Sequence, residues 1–323
     1  MDFDAVKSKL HGPVGLVMAP FQADLSLDVP ALKRNIRYIL DGGMKTGQGA
    51  IICPCGSGEY LTLSTEEHQQ MVKAAVETTE GTLPVIAGVA SCNIRVAIEL
   101  AANAKAAGAT CVMIPPPYYD RVTDDIIFAW YKGIAEAADV AIVVYDQVWR
   151  GPLGTTLSHS LMARLATIPN IVALKYGSPA QYYDYIKALD QFADRFAFID
   201  NSLGFTSTAG HMHGAAGFIS GPSSWWPQFE LEYWSLLQAG KYKEADLLHA
   251  KLGPFMKFHR GDEFESGMHD YYYAPSILKA ALEFVGLTGG PVRPPYFALT
   301  SQQKEKLWSV LEQIGAPRGR ATV

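Results

Sequence analysis

Eight short runs of β-branched and other apolar residues, each separated from the next by a longer stretch of helical periodicity, constrain this chain more than any other feature. The runs are "VGLVMAP", "GAIICP", "LPVIAGVA", "TCVMIP", "VAIVVYD", "IVALK", "FAFID" and "AAGFIS". They read as strands beginning near Val14, Gly49, Leu83, Thr110, Val140, Ile171, Phe196 and Ala215. The segments between them, such as "DVPALKRNIRYIL" and "NIRVAIELAANAKAAG", carry apolar residues three and four apart, as helices do. Asp28, Ser64, Asn93 and Ser158 stand where N-caps belong, and Gly108 where a helix should stop. Near-continuous apolar strands indicate a parallel sheet covered on both faces. The count predicts a closed (β/α)8 TIM barrel over residues 1–239, followed by a helical extension over 240–323. An open doubly wound sheet would call for a glycine fingerprint after the first strand. The residues there are "FQADLSLD", with no glycine.

A chain of 323 residues, 49% hydrophobic, is long enough for one such barrel. Its charged fraction, 18%, is below the usual quarter or so and points to a sizeable core and a plausible subunit interface. A net charge of −5, with no run of Lys and Arg, gives no support for a nucleic-acid partner. The segment "MDFDAVKSKLHG" is acidic early and has no apolar core, so no secretory signal is expected. No apolar stretch approaches membrane-spanning length, and the cytoplasm is the expected location. Four cysteines do not make a disulfide framework. Cys53-Pro54-Cys55 lacks the second pair of a zinc set and reads as buried thiols.

In a barrel of this kind chemistry sits where strands run out into the following loops. After the second strand, "CGSGE" offers Gly56 and Gly58 for close backbone approach, the Ser57 hydroxyl, and amides able to hold a carboxylate. The fourth ends in "PPPYYD", whose Tyr118 and Tyr119 suit packing or an interface. The fifth ends in "YDQVWRG". There Tyr145 is either a phenol at the barrel mouth or a core aromatic, and Arg150 is able to fork onto a substrate carboxylate. The sixth ends in Lys175, preceded by Ile171, Val172, Ala173 and Leu174. Such a lysine either lays its stem along apolar surface or, held neutral in a dry pocket, attacks a carbonyl carbon to form a Schiff base. A rival constellation is His211 and His213 with Glu59 or Asp200, which would make a metal-dependent lyase.

Taken in order, these strand ends resemble the dihydrodipicolinate synthase / N-acetylneuraminate lyase family of class I aldolases. The similarity runs from "GLVMAPF" to "ILKAALEFVGLTGGPVRPPY" and rests most on "GSGE", Tyr145 and, thirty residues on, Lys175. The resemblance implies that Lys175 forms an imine with pyruvate or another 2-oxo acid and that Tyr145 shuttles protons. It implies that Gly56 and Ser57 hold the substrate carboxylate, that Ile219 lines the pocket, and that Arg150 binds the second substrate's carboxylate. Tyr119 falls where the synthases donate a tyrosine to a neighbouring subunit, so a homotetramer or homodimer is implied. The expected reactants are a 2-oxo acid and, as second substrate, an aldehyde, with no metal or organic cofactor.

Departures from the family pattern bear on the reaction. Gly56 stands where Thr or Ser is usual, interrupting the hydroxyl relay to the tyrosine. Tyr145-Asp146-Gln147-Val148 replaces the usual Tyr-Asn and its following proline. Tyr176 replaces the Glu that the synthases carry after the lysine, and Asn201 a glycine. Lys-Tyr-Gly is similar to the hydratase-aldolases of arylidene-pyruvates. The expectation is a Schiff-base lyase or aldolase of pyruvate or a 2-keto(-3-deoxy) acid. The alternatives left open are a hydratase-aldolase, a 2-keto-3-deoxy sugar acid dehydratase or aldolase, the metal-dependent lyase, and a catalytically silent 2-oxo acid binder.

Overall fold

The computed structural model describes residues 1–146, 156–177, 181–202, 204, 206–219, 221–259 and 272–319. Eight parallel strands close into a barrel in sequence order: β1 (Gly12–Leu16), β2 (Ala50–Ile52), β3 (Val85–Gly88), β4 (Cys111–Ile114), β5 (Ile142–Tyr145), β6 (Ile171–Tyr176), β7 (Ala197–Asp200) and β8 (Gly217–Phe218). Each begins within two residues of its expected start. A helix, α1 (Phe3–Lys7), precedes the barrel. Helices α2 (Val29–Asp41), α3 (Thr65–Thr79), α4 (Ile94–Ala107), α5 (Asp124–Ala138), α6 (His159–Leu165), α7 (Tyr182–Phe192), α8 (Ser207–Met212) and α9 (Pro227–Gln238) follow the strands one by one. The C-terminal helices are α10 (Tyr242–His249), α11 (Gly253–His259), α12 (Ala274–Phe284) and α13 (Ser301–Gln313).

The caps read from the sequence form. Asp28, Asn93 and Ser158 accept from the amides of Ala31, Arg95 and Leu161 at 2.9–3.1 Å. Ser64 and Glu67 cap each other reciprocally at the start of α3, and Gly108 ends α4 in the left-handed region at φ 93°. These bonds satisfy helix-end amides and carbonyls that have no partner within the helix.

The chain divides into two compact units. The first comprises Met1–Val14, Lys45–Ile52 and Glu80–Ser220, and so contains the strands apart from the last two residues of β1. Its core is the strands themselves: every residue of β6 is buried. Two features fix the strands that carry the candidate chemistry. The Arg195 guanidinium donates to the carbonyls of Ala166, Ile168 and Ile171 at 2.8–3.0 Å, tying down the start of β6. On α5, Trp130 and Tyr131 donate to the carbonyls of Pro115 and Ile114, holding the end of β4.

The second unit comprises Gly15–Met44, Cys53–Thr79 and Gly221–Val323. Within it α12 is buried from Ala274 to Leu282, an unusual setting for the lysine at 279. Trp225 is fully buried and packs edge-on against Phe255, 5.1 Å between ring centroids.

Candidate active site

The first unit brings Lys175 and Tyr145 together. They are register partners on adjacent strands, Tyr145 ending β5 and Lys175 one residue before the end of β6. Neighbouring residues in register point to the same side of a sheet, and the lysine Nζ stands 3.9 Å from the centroid of the tyrosine ring. Lys175 is 7% exposed and Tyr145 is half-buried. A sheltered amine beside a phenol is placed to attack a carbonyl carbon, with a proton carrier at hand. Ile219, just past β8, is buried and donates its amide to the Asp200 carbonyl at 2.9 Å. Tyr119 lies on the loop after β4 and is 81% exposed, in contact with solvent rather than with the lysine. Arg150 lies outside the described residues, as do Gln147, Val148 and Trp149.

The residues that alternate with the pair face the outer layer. Tyr176 is buried, stacked on Tyr185 of α7 at 5.8 Å and edge-on to Phe198 at 5.9 Å. Burial, with the Asp146 and Asp184 carboxyls, raises its pKa. The tyrosine that follows the lysine is therefore a packing residue here. Asp200 is fully enclosed and accepts from the hydroxyls of Ser202, Thr206 and Ser207 and from the Ser202 amide. Burial nevertheless holds its pKa above the ordinary carboxylate value, against the pull of those donors.

Asp146 was legible only as a departure from the family pattern, and the structure gives it a sharper character. It is 0% exposed, and neither carboxyl oxygen has a hydrogen-bond partner among the described residues. Burial raises its pKa well above the usual value. The amides of Gly177 and Leu157 face the carboxyl and pull the other way without closing a hydrogen bond. Its own amide donates to the Lys175 carbonyl at 3.0 Å.

In the second unit, Gly56–Gly58 form a single 3-10 turn after β2. The amides of Gly58, Glu59 and Tyr60 are used within the turn, donating to Cys55, Gly56 and Cys55 carbonyls respectively. Those of Gly56 and Ser57 have no backbone acceptor among the described residues. Gly56 is exposed and Ser57 half-exposed, while Gly58 and Glu59 are buried. The turn thus anchors its later amides and leaves two at exposed or half-exposed positions without a backbone acceptor among the described residues, an arrangement able to hold a carboxylate. Glycine is required at 58, where a Cβ would sit 2.3 Å from the Val17 carbonyl oxygen.

The residues of the rival metal site are engaged separately. His213 pairs with Asp190 at 2.7 Å, Asp200 is saturated by hydroxyls, and Glu59 pairs with Lys279. No group of three or more His, Cys, Asp or Glu side chains among the described residues is arranged to hold a metal. Cys53 and Cys55 are buried thiols, their Sγ atoms against the carbonyls of Met71 and Val17, and burial pushes the Cys53 thiol well up. Among the described residues no helix is long and apolar enough to cross a membrane.

Comparison with known proteins bears on this geometry. A model of the dihydrodipicolinate synthetase family matches residues 9–314. The 4-hydroxy-tetrahydrodipicolinate synthase of Methanothrix thermoacetophila is 32% identical over 308 residues, covering 94% of this chain and 97% of that one. The crystal structure of dihydrodipicolinate synthase from Aquifex aeolicus superposes with a TM-score of 0.84 at 25% identity, covering 96% of this chain and 100% of its own. The chloride-inhibited dihydrodipicolinate synthase from Acinetobacter baumannii, solved with pyruvate, gives 0.83 at 27% identity, covering 95% and 99%.

Proposed function

The chain belongs to the dihydrodipicolinate synthetase family and is a lyase of the class I aldolase type, and on that premise we propose that it acts on pyruvate or a related 2-keto(-3-deoxy) acid through an imine at Lys175. The observation that supports this reading is the sheltered amine of Lys175 lying 3.9 Å above the Tyr145 ring. The lysine nitrogen adds to the ketone carbon, the carbonyl oxygen leaves as water, and the resulting iminium withdraws electrons from the adjacent carbon. Loss of a proton from that carbon gives an enamine, which forms a carbon–carbon bond to an aldehyde. Run backwards the same sequence cleaves that bond, and loss of a β-hydroxyl gives dehydration. Tyr145 moves the protons, and Ile219 lines the pocket.

The substrate carboxylate is assigned to the free amides of Gly56 and Ser57 with the Ser57 hydroxyl. Fixed donors of this kind hold charge without reorganising during the reaction. Gly56 contributes only its backbone, so water or the Ser57 hydroxyl stands in for the family's hydroxyl in proton exchange with Tyr145. The exposure of Tyr119 supports its donation to the site of a second subunit, in a homodimer or homotetramer. The cytoplasm is the proposed location.

Treatment with sodium borohydride and pyruvate tests the central step. Hydride reduces the imine to a secondary amine, and peptide mass spectrometry should locate the added mass at Lys175. An unmodified lysine after exhaustive treatment would refute the mechanism. A panel of aldehydes and 2-keto-3-deoxy acids, scored by pyruvate consumed or released, then separates aldolase from dehydratase.

A further inference from the structure

The second unit contains a buried group of charges for which the reaction has no direct use. Lys279, on α12, is 2% exposed and Glu59 is 0% exposed, and the two form an ion pair. The lysine also donates to the Pro291 carbonyl at 2.6 Å and stands 4.5 Å over the Phe21 ring. Burial lowers its pKa, while the Glu59 carboxylate opposes that shift. The second carboxylate oxygen of Glu59 accepts from the Arg293 amide at 2.8 Å. The Arg293 guanidinium is saturated in turn: it forks onto Glu67, donates to the carbonyls of Leu25 and Thr62, and lies 4.0 Å over Phe21. In the segment reaching from α12 to Arg293, Gly289 and Gly290 pass too close to neighbouring backbone to carry a side chain. A Cβ on Gly290 would be 2.3 Å from the Phe21 carbonyl oxygen.

Glu59 is also the residue that closes the Gly56–Gly58 turn, in the left-handed conformation at φ 67° and ψ 27°. Non-glycine residues adopt that region at a cost, and hold it where surrounding structure over-determines it. Here both carboxylate oxygens are tied, one to Lys279 and one to the Arg293 amide, while the Glu59 carbonyl accepts from the amide and hydroxyl of Thr62. We infer that Glu59 and Lys279 are positioning residues for the reaction. Their buried ion pair, braced by Arg293, holds Glu59 in its left-handed conformation and so fixes the direction of the Gly56 and Ser57 amides. The inference rests on the reading of that turn as the carboxylate site, and deepens it. Affinity for the carboxylate is set by a latch joining β2's turn to the C-terminal helices, made of side chains that never touch substrate.

The test compares two probes that differ in the carboxylate, pyruvate and acetone, each trapped at Lys175 by borohydride in the full chain. In Glu59→Gln and in Lys279→Met the half-saturating pyruvate concentration should rise about tenfold to a hundredfold, the loss expected for a charge-assisted hydrogen bond. The acetone trapping rate, and turnover at saturating pyruvate, should stay within about twofold, because binding rather than chemistry is lost. The double variant should be no worse than the worse single one, since both act through one pair. Should either single variant not fold, the double variant, which leaves no buried charge unpaired, carries the same pyruvate–acetone comparison. An unchanged half-saturating concentration in folded variants, or a parallel loss of acetone trapping, overturns the inference. A wild-type protein that traps neither probe sinks the imine reading instead. One that binds pyruvate no better than acetone sinks the carboxylate assignment.

Discussion

Replacing Asp146 by Asn should stabilise the protein by an amount that depends on pH in a calculable way. Asp146 is fully buried, without a hydrogen-bond partner for either oxygen among the described residues, and its pKa is raised well above the ordinary value by burial. The sign follows from proton counting. Above the unfolded-state pKa, about 3.9, the unfolded chain has lost this proton while the folded chain keeps it. Folding therefore takes up a proton, and stability falls as pH rises, at about 1.4 kcal/mol per pH unit until the folded acid itself ionises. Below about pH 4 the acid is protonated in both states and the term vanishes. Asn is nearly isosteric and never ionises, so the variant lacks this loss. The variant should therefore gain on wild type progressively as pH rises above about 4, for as long as the folded acid keeps its proton. With an unfolding entropy of about 2.1 cal/mol/K per residue over 323 residues, each such pH unit corresponds to about 2 °C in melting temperature. Paired thermal melts from pH 4 to pH 8 measure it. A melting difference independent of pH, or a variant that loses stability as pH rises, would mean that Asp146 is charged and well partnered, and the reasoning would fail.

Two further substitutions probe the reacting pair and the turn separately. Tyr145→Phe keeps the ring beneath the Lys175 amine but removes the proton carrier, so turnover should fall by about 10²–10⁴-fold while pyruvate is still trapped at Lys175 by borohydride. Equal turnover would remove the phenol from the mechanism. Gly58→Ala forces a Cβ to within 2.3 Å of the Val17 carbonyl oxygen. It should cost about 1–3 kcal/mol in denaturant unfolding and weaken pyruvate binding, with acetone trapping retained, whereas unaltered stability would show that the turn yields freely.

The barrel was legible because strands buried on both faces must be apolar along their whole length, so each announces itself without reference to any partner. β6 is the clearest case: "IVALKY" is buried at all six positions, and its one charged residue stands out for that reason. The same locality does not tell which way the next residue faces. Lys-Tyr-Gly is similar to the hydratase-aldolases as a motif, and only the strand's alternation shows Tyr176 turned outward onto Tyr185. His211 and His213 likewise look like a ligand pair in sequence, but His213 is taken by Asp190 of α7. That contact depends on how two helices meet, which spacing along the chain does not encode.

The supporting charges were out of reach for a related reason. In "SILKAALEF" a lysine among apolar residues reads as the solvent edge of an amphipathic helix. It is buried because its counter-charge, Glu59, comes from the other end of the sequence. "GSGE" and "GGPVRPP" each carry a visible signature, a turn and a glycine–proline segment, and neither by itself names the other as its partner. Reacting groups are identified by local chemistry at a strand end, whereas the partners that brace the Gly56–Gly58 turn come from more than two hundred residues away. Burying Lys279 or Glu59 is costly for either ion alone, so each depends on the other, and the Arg293 amide holds the second Glu59 oxygen. That interdependence makes the latch invisible in any one segment. It also means that changing a single member should alter the hold on the carboxylate while Lys175 and Tyr145 keep their places.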